Sequence, residues 1–198
     1  MQSKEVIIDI KELDSLLANP EQVGGLESLT LRGVINQLPS GIGQLKNLTK
    51  LYLRYNSIQI FPSQIGQLGS LKKLQLIGND ELQYLTNEIG RLNNLIHLDL
   101  YDNDLQWLPN EIGHLKNLEY LDLSVNNLQN LPSEIGQLKK LTELILHNNE
   151  LQSLPNEIGQ LENLTTLDLR YNISLNENDF KKIEWLLSNT YIRSGYDR

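Results

Sequence analysis

From Leu95 onward, apolar side chains recur in one fixed arrangement. Leu95, Leu98 and Leu100 are followed by Leu105, Leu108, Ile112 and Leu115, and the arrangement restarts at Leu118, Leu141 and Leu164. Leu98-Asp99-Leu100 alternates apolar and polar, the period of a half-buried strand. The two leucines are predicted to point inward and His97, Asp99 and Tyr101 outward. Asn103 stands where that strand must turn. Its side-chain amide both donates and accepts, so it can satisfy backbone groups on either side of the turn. One asparagine per unit predicts a hydrogen-bonded ladder. Pro109 fixes the return path, and Ile112-Gly113-x-Leu115 brings two more apolar side chains inward. One unit cannot bury its own leucines, whereas stacked units can.

The string L-x-x-L-x-L-x-x-N-x-L, extended by L-P-x-E-I-G-x-L-x-N, resembles the leucine-rich-repeat signature. The repeat of 23 residues between Leu95 and Leu118 is similar to the class abundant in spirochaetal and other bacterial proteins. It also resembles the intracellular Ras-scaffold type of plants and animals. The resemblance covers residues 26–175. It implies an α/β solenoid: a curved, right-handed leucine-rich-repeat superhelix with a concave parallel β-sheet. That family binds proteins, glycans, lipids and nucleic acids on one scaffold, so the resemblance implies a fold and not a partner.

The expected organisation is an N-terminal cap over residues 1–25, seven repeats over 26–175, and a C-terminal cap helix and tail over 176–198. Val6 to Ile10 reads as a short edge strand. Leu13, Leu16 and Leu17 share one face of a helix that ends before Pro20. The first repeat lacks the asparagine and carries Gly33-Val34 in its place. The third has one extra residue at Asp80-Glu81, and Thr86 where the others have proline. Beyond Asn176, Phe180, Ile183, Leu186 and Leu187 form one helical face with Asn178 as the expected N-cap. Thr190-Tyr191-Ile192 is a candidate last strand.

Composition narrows the function. The 198 residues carry a net charge of −8 and no cysteine. The missing cysteine excludes a disulfide framework and thiol chemistry. The acidic balance argues against nucleic acid and anionic membrane as partners, since both need clustered Lys and Arg. No run approaches the roughly 18 apolar residues of a membrane-inserting helix. The first 20 residues contain no signal-peptide core, which leaves a cytoplasmic protein, or a secreted one whose leader was removed. Enzymatic chemistry needs a nucleophile with a base, a phosphate loop or a metal site. None is present in the sequence, so a non-enzymatic monomer without a cofactor is expected. Asn47-Leu48-Thr49 and Asn163-Leu164-Thr165 match the glycosylation pattern, but both asparagines are repeat residues.

The candidate site is the outward side of the strands. Arg32, Lys50, Arg54 and Lys73 make its N-terminal part basic; Asp99, Asp102, Asp122, Glu143 and Asp168 make the rest acidic. Tyr52, Tyr55, Tyr101, Tyr120 and Tyr171 are interleaved, with His97, His147 and Arg170 among them. Tyrosine and arginine are the anchors that protein interfaces favour, so a protein partner on this face is the leading reading. A host or surface protein follows from the spirochaetal resemblance. The alternative is a glycan or divalent cation at Asp99, Asp122, Tyr101 and Tyr120. A second surface is a flank patch of Ile60, Tyr84 and Trp107, neighbours on successive repeats.

Overall fold

The computed structural model describes residues 4–194. Its backbone is one parallel sheet in sequence order, β1 to β9 among the described residues. The strands are β1 (Lys4–Ile8), β2 (Leu26–Leu31), β3 (Lys50–Tyr52), β4 (Lys73–Gln75), β5 (His97–Asp99), β6 (Tyr120–Asp122), β7 (Glu143–Ile145), β8 (Thr166–Asp168) and β9 (Tyr191–Arg193). Each strand lies beside the next one along the chain, so the molecule is a solenoid of units stacked in sequence order. The inward leucines of every repeat, Leu98 and Leu100 among them, are fully buried in one continuous core.

Among the described residues, the opposite wall consists of six short 3-10 helices: η1 (Ser40–Gln44), η2 (Ser63–Gln67), η3 (Asn87–Arg91), η4 (Asn110–His114), η5 (Ser133–Gln137) and η6 (Asn156–Gln160). Their tight turns follow from the sequence. Pro109 holds φ at −67°, its carbonyl accepts the Ile112 N–H at 3.0 Å, and the Ile112 carbonyl accepts the Leu115 N–H at 3.2 Å. Thr86 replaces proline ahead of η3 yet keeps the same extended backbone, φ −69° and ψ 148°. The glycine in each turn lets neighbouring helices touch. A Cβ on Gly113 would lie 2.6 Å from the Glu134 carbonyl oxygen.

The asparagine ladder forms as expected. Asn126 donates to the carbonyls of Leu100 (2.9 Å) and Leu123 (3.0 Å) and accepts the Leu105 N–H at 3.0 Å. The extra residue in the third repeat interrupts it. Asp80 and Glu81 form a turn closed by Leu82 N–H to Asn79 carbonyl (2.9 Å), and the Asn79 Oδ1 is buried without a hydrogen-bond partner. Asn47 and Asn163, the two glycosylation-pattern asparagines, donate back to the carbonyls of Gly24, just ahead of the first repeat, and of Lys139, in the preceding repeat. Their amides therefore serve the fold.

Helix α1 (Ile10–Leu17), started by an Asp9–Glu12 capping box, and the short α2 (Pro20–Val23) stand at the N-terminal end. Helix α3 (Glu177–Leu186) stands at the other. Its N-cap is Asn176, which corrects the expected Asn178. Asn176 has the extended backbone a cap needs, its side chain accepts the N–H groups of Asn178 and Asp179, and Asp179 reciprocates. Asn178 is already inside the helix. Among the described residues, no helix is long and apolar enough to cross a membrane.

Candidate functional site on the concave face

Strand register turns the repeat into columns. In one, Lys50, Lys73, His97, Tyr120, Glu143, Thr166 and Tyr191 follow one another across adjacent strands. In the next, Tyr52, Gln75, Asp99, Asp122, Ile145, Asp168 and Arg193 do so. Arg32, Arg54, Tyr101, His147 and Arg170 follow their strands in the next outward positions, and Tyr55 and Tyr171 lie one residue further. The expected site residues thus share one face.

That face is cross-linked. The Arg54 guanidinium lies 5.5 Å over the Tyr52 ring and donates to Gln75 Oε1. Gln75 Nε2 donates in turn to Asp99 at 2.8 Å, which also accepts the Tyr101 N–H at 3.2 Å. The Tyr120 hydroxyl donates to Asp122 at 3.1 Å, and Asp122 further accepts the hydroxyl and N–H of Ser124. The His97 ring stacks on Tyr120 with centroids 4.2 Å apart and planes within 4°. At the far end Arg170 grips Asp168 through two nitrogens, the nearer at 2.6 Å, and Arg193 stands 3.9 Å from the same carboxylate.

The electrostatics follow from this packing. Burial, and after it the Lys73 ammonium, push the His97 imidazole down to about 4, so it is neutral at pH 7. Burial raises the Asp99 carboxyl, and the neighbouring Asp122 charge adds to that rise. Burial and the same Asp122 charge raise the Tyr120 phenol. Burial alone would raise Asp168, but the hydrogen bonds and charge of Arg170 hold it below the ordinary carboxylate range.

Two expectations change. Asp99 and Asp168, expected among the outward acids, are 8% and 1% exposed, because side chains of their own and adjacent strands close over them. The acidic C-terminal end is accordingly cut back by Arg170 and Arg193. The glycan or cation site at Asp99, Asp122, Tyr101 and Tyr120 is likewise not supported. Both carboxylates face each other in register, yet their oxygens already accept protein donors. Among the described residues, no three His, Asp or Glu side chains assemble as metal ligands.

Gln75 and Ser124, which link the charged residues, are not among the site residues expected from the sequence. An amide between a guanidinium and a carboxylate in register was the signal available. Arg193 was missed because it lies on the last strand, outside the repeat. Also missed was the backbone one residue before each ladder asparagine. Tyr55, Asp102, Val125, Asn148 and Tyr171 all have φ between 53° and 59°, the left-handed region that Asn and Asp tolerate and valine does not. Tyr55 and Tyr171 project from that turn and are 73% and 70% exposed. A groove of about 580 Å³ follows the turns, lined by Tyr55, Asp80, Asp102, Asp104, Val125 and Glu150 among others.

The flank patch is exposed. Ile60, Tyr84 and Trp107 are 51%, 40% and 51% accessible, and the Tyr84 and Trp107 rings stack with centroids 5.7 Å apart and planes within 6°.

A parallel sheet on one wall, 3-10 helices on the other and an asparagine ladder between them define a repeat-built solenoid with an open face. The family model "Leucine-rich repeat region" matches residues 74–187 and the model "Leucine Rich Repeat" matches 47–68. The chain belongs to the leucine-rich-repeat family. It is similar to a leucine-rich-repeat protein of Leptospira interrogans, at 40% identity and TM-score 0.73 over 86% of this chain and 49% of that one. The fold is shared with an internalin of Listeria monocytogenes, at 22% identity and TM-score 0.72 over 88% of this chain and 49% of that one. It is also shared with the plant peptide hormone receptor RGFR1, solved in complex with RGF2, at 23% identity and TM-score 0.72 over 96% of this chain and 30% of that one. The chain spans about half the length of the two bacterial proteins. No curated protein matches the sequence.

Proposed function

We propose that the chain is a non-enzymatic protein-binding module that receives a partner on the concave face, the partner being a host or surface protein. One observation carries this: the face holds aromatic and guanidinium side chains in fixed positions that the core does not require. Tyr52, Arg54, Gln75 and Asp99 form one linked set; His97, Tyr120, Asp122 and Ser124 form another. A prearranged face loses little side-chain freedom on binding, which favours affinity. Tyr101, at 37% exposure, stands beside both sets as a contact residue. The family and the similarity to the Leptospira protein support the reading. The plant receptor, solved with RGF2, illustrates what the scaffold does elsewhere.

The test is affinity capture from host-cell extract by the native chain and by a Tyr52→Ala, Arg54→Gln, Tyr101→Ala variant matched in thermal stability. The reading predicts a protein captured by the first and lost from the second. The same proteins captured by both would contradict it.

A further inference from the structure

Trp107 has one face covered and one face open. Tyr84, on the preceding repeat, stacks against the first. The equivalent position on the following repeat is Asn130, so the aromatic ladder stops and the second face meets no ring. A slot of about 380 Å³ opens there, lined by Trp107, Gln106, Asn127, Gln129 and Glu150. Asn127 and Glu150 also line the larger groove beside it, which carries Asp80, Asp102 and Asp104. No lysine or arginine lines either space. None of these four carboxylates is in an ion pair among the described residues.

We propose that the Trp107 slot is an arginine-docking site for an extended basic segment of a protein partner. A guanidinium is planar. It can lie on an indole face while its edge N–H groups reach the Glu150 carboxylate and the side-chain carbonyls of Gln106 and Gln129. Further basic residues of the same segment then lie along Asp104 and Asp102. A neutral sugar would use the ring and the amides but would gain nothing from the charge. A lysine ammonium would gain the charge without the planar stacking. The slot lies on the flank, its groove meets the edge of the concave face at Asp102, and the proposal does not depend on the concave reading.

The probe is a tetra-arginine amide peptide, titrated against the full chain carrying Trp185→Phe so that the emission reports Trp107. Saturable binding is expected, with tetra-lysine weaker. Trp107→Leu, read by calorimetry, should lower the affinity about tenfold, the size of a partly desolvated cation–π contact. Because that change leaves the net charge untouched, indiscriminate attraction of a cation to an acidic protein would survive it. Glu150→Gln should weaken binding less, and Tyr101→Ala should leave it unchanged. Equal tetra-arginine affinity in the native chain and Trp107→Leu would overturn the proposal. So would a shift of Trp107 emission by cellotriose in the absence of any shift by the peptide. Trp107 is half exposed, so its substitution should leave the core intact; matched thermal unfolding checks this.

Discussion

Along the convex wall, η3 to η6 read Asn-Glu-Ile-Gly, Asn-Glu-Ile-Gly, Ser-Glu-Ile-Gly and Asn-Glu-Ile-Gly. Across the concave sheet, one register column reads Lys73, His97, Tyr120 and Glu143 over the same repeats. The two walls are built from the same repeats and obey different constraints. On the convex side, from η2 to η5, each turn approaches the next until a backbone carbonyl oxygen fills the space a Cβ on its glycine would need. On the concave side the buried leucine between the columns carries the packing, and its outward neighbours answer only to solvent and to one another. Uniformity therefore marks where the fold has no alternative, and variety marks where the molecule is free to recognise something.

Substitutions should separate the two walls and the ladder between them. The largest expected loss is at the ladder. Asn126→Ala strands buried carbonyls and the Leu105 N–H at once and should cost about 3 kcal/mol, measured by denaturant unfolding. The same change at Asn79, whose Oδ1 is already without a partner, should cost less. Next is the convex wall. Gly113→Ala drives a methyl against the Glu134 carbonyl and should cost about 2 kcal/mol, whereas Gly69→Ala, which meets open space, should be close to silent.

The concave face contributes a smaller, pH-dependent effect. His97 is held neutral in the fold, so its folded value lies below its unfolded one. Stability is then complete above about pH 6.5 and falls as the pH drops toward 4. With allowance for its partial exposure, the native chain should lose about 1–2 kcal/mol more than His97→Gln over that interval. Urea midpoints at pH 7 and pH 4 decide it, since the opposing contributions of Asp99 and Asp168 are common to both chains. Val125→Asn relieves a β-branched residue from φ 53° and should stabilise by about 0.5–1 kcal/mol, read as a rise in Tm. Lys50→Ala, on the exposed concave face, should change stability by less than about 0.5 kcal/mol. A loss as large as that at Gly113 would erase the distinction between the walls.

Much of the fold was legible in the sequence for a physical reason: alternating leucines, the turn asparagine and the returning Ile-Gly are each imposed locally and repeated. The 3-10 form of the convex segment was not legible, because it depends on how closely the next repeat approaches. The Asn176 cap was missed because two asparagines, Asn176 and Asn178, compete for the role, and only backbone conformation separates them. The concave columns were legible as positions. Their partnerships were not, because Gln75 joins Arg54 to Asp99 across three repeats and Arg193 reaches Asp168 from beyond the last one. Burial of a carboxylate by such partners leaves no trace in alternation.

The central claim, that the concave face is free of the fold's demands and receives a protein, is tested most directly by site-specific photocrosslinking. A benzoylphenylalanine is placed at Tyr101 on the concave face or at Gln137, exposed on η5, and each chain is irradiated in host-cell extract. The account predicts a discrete protein adduct from position 101 and none from position 137. An adduct from 137 alone, or the same adduct from both, would contradict it.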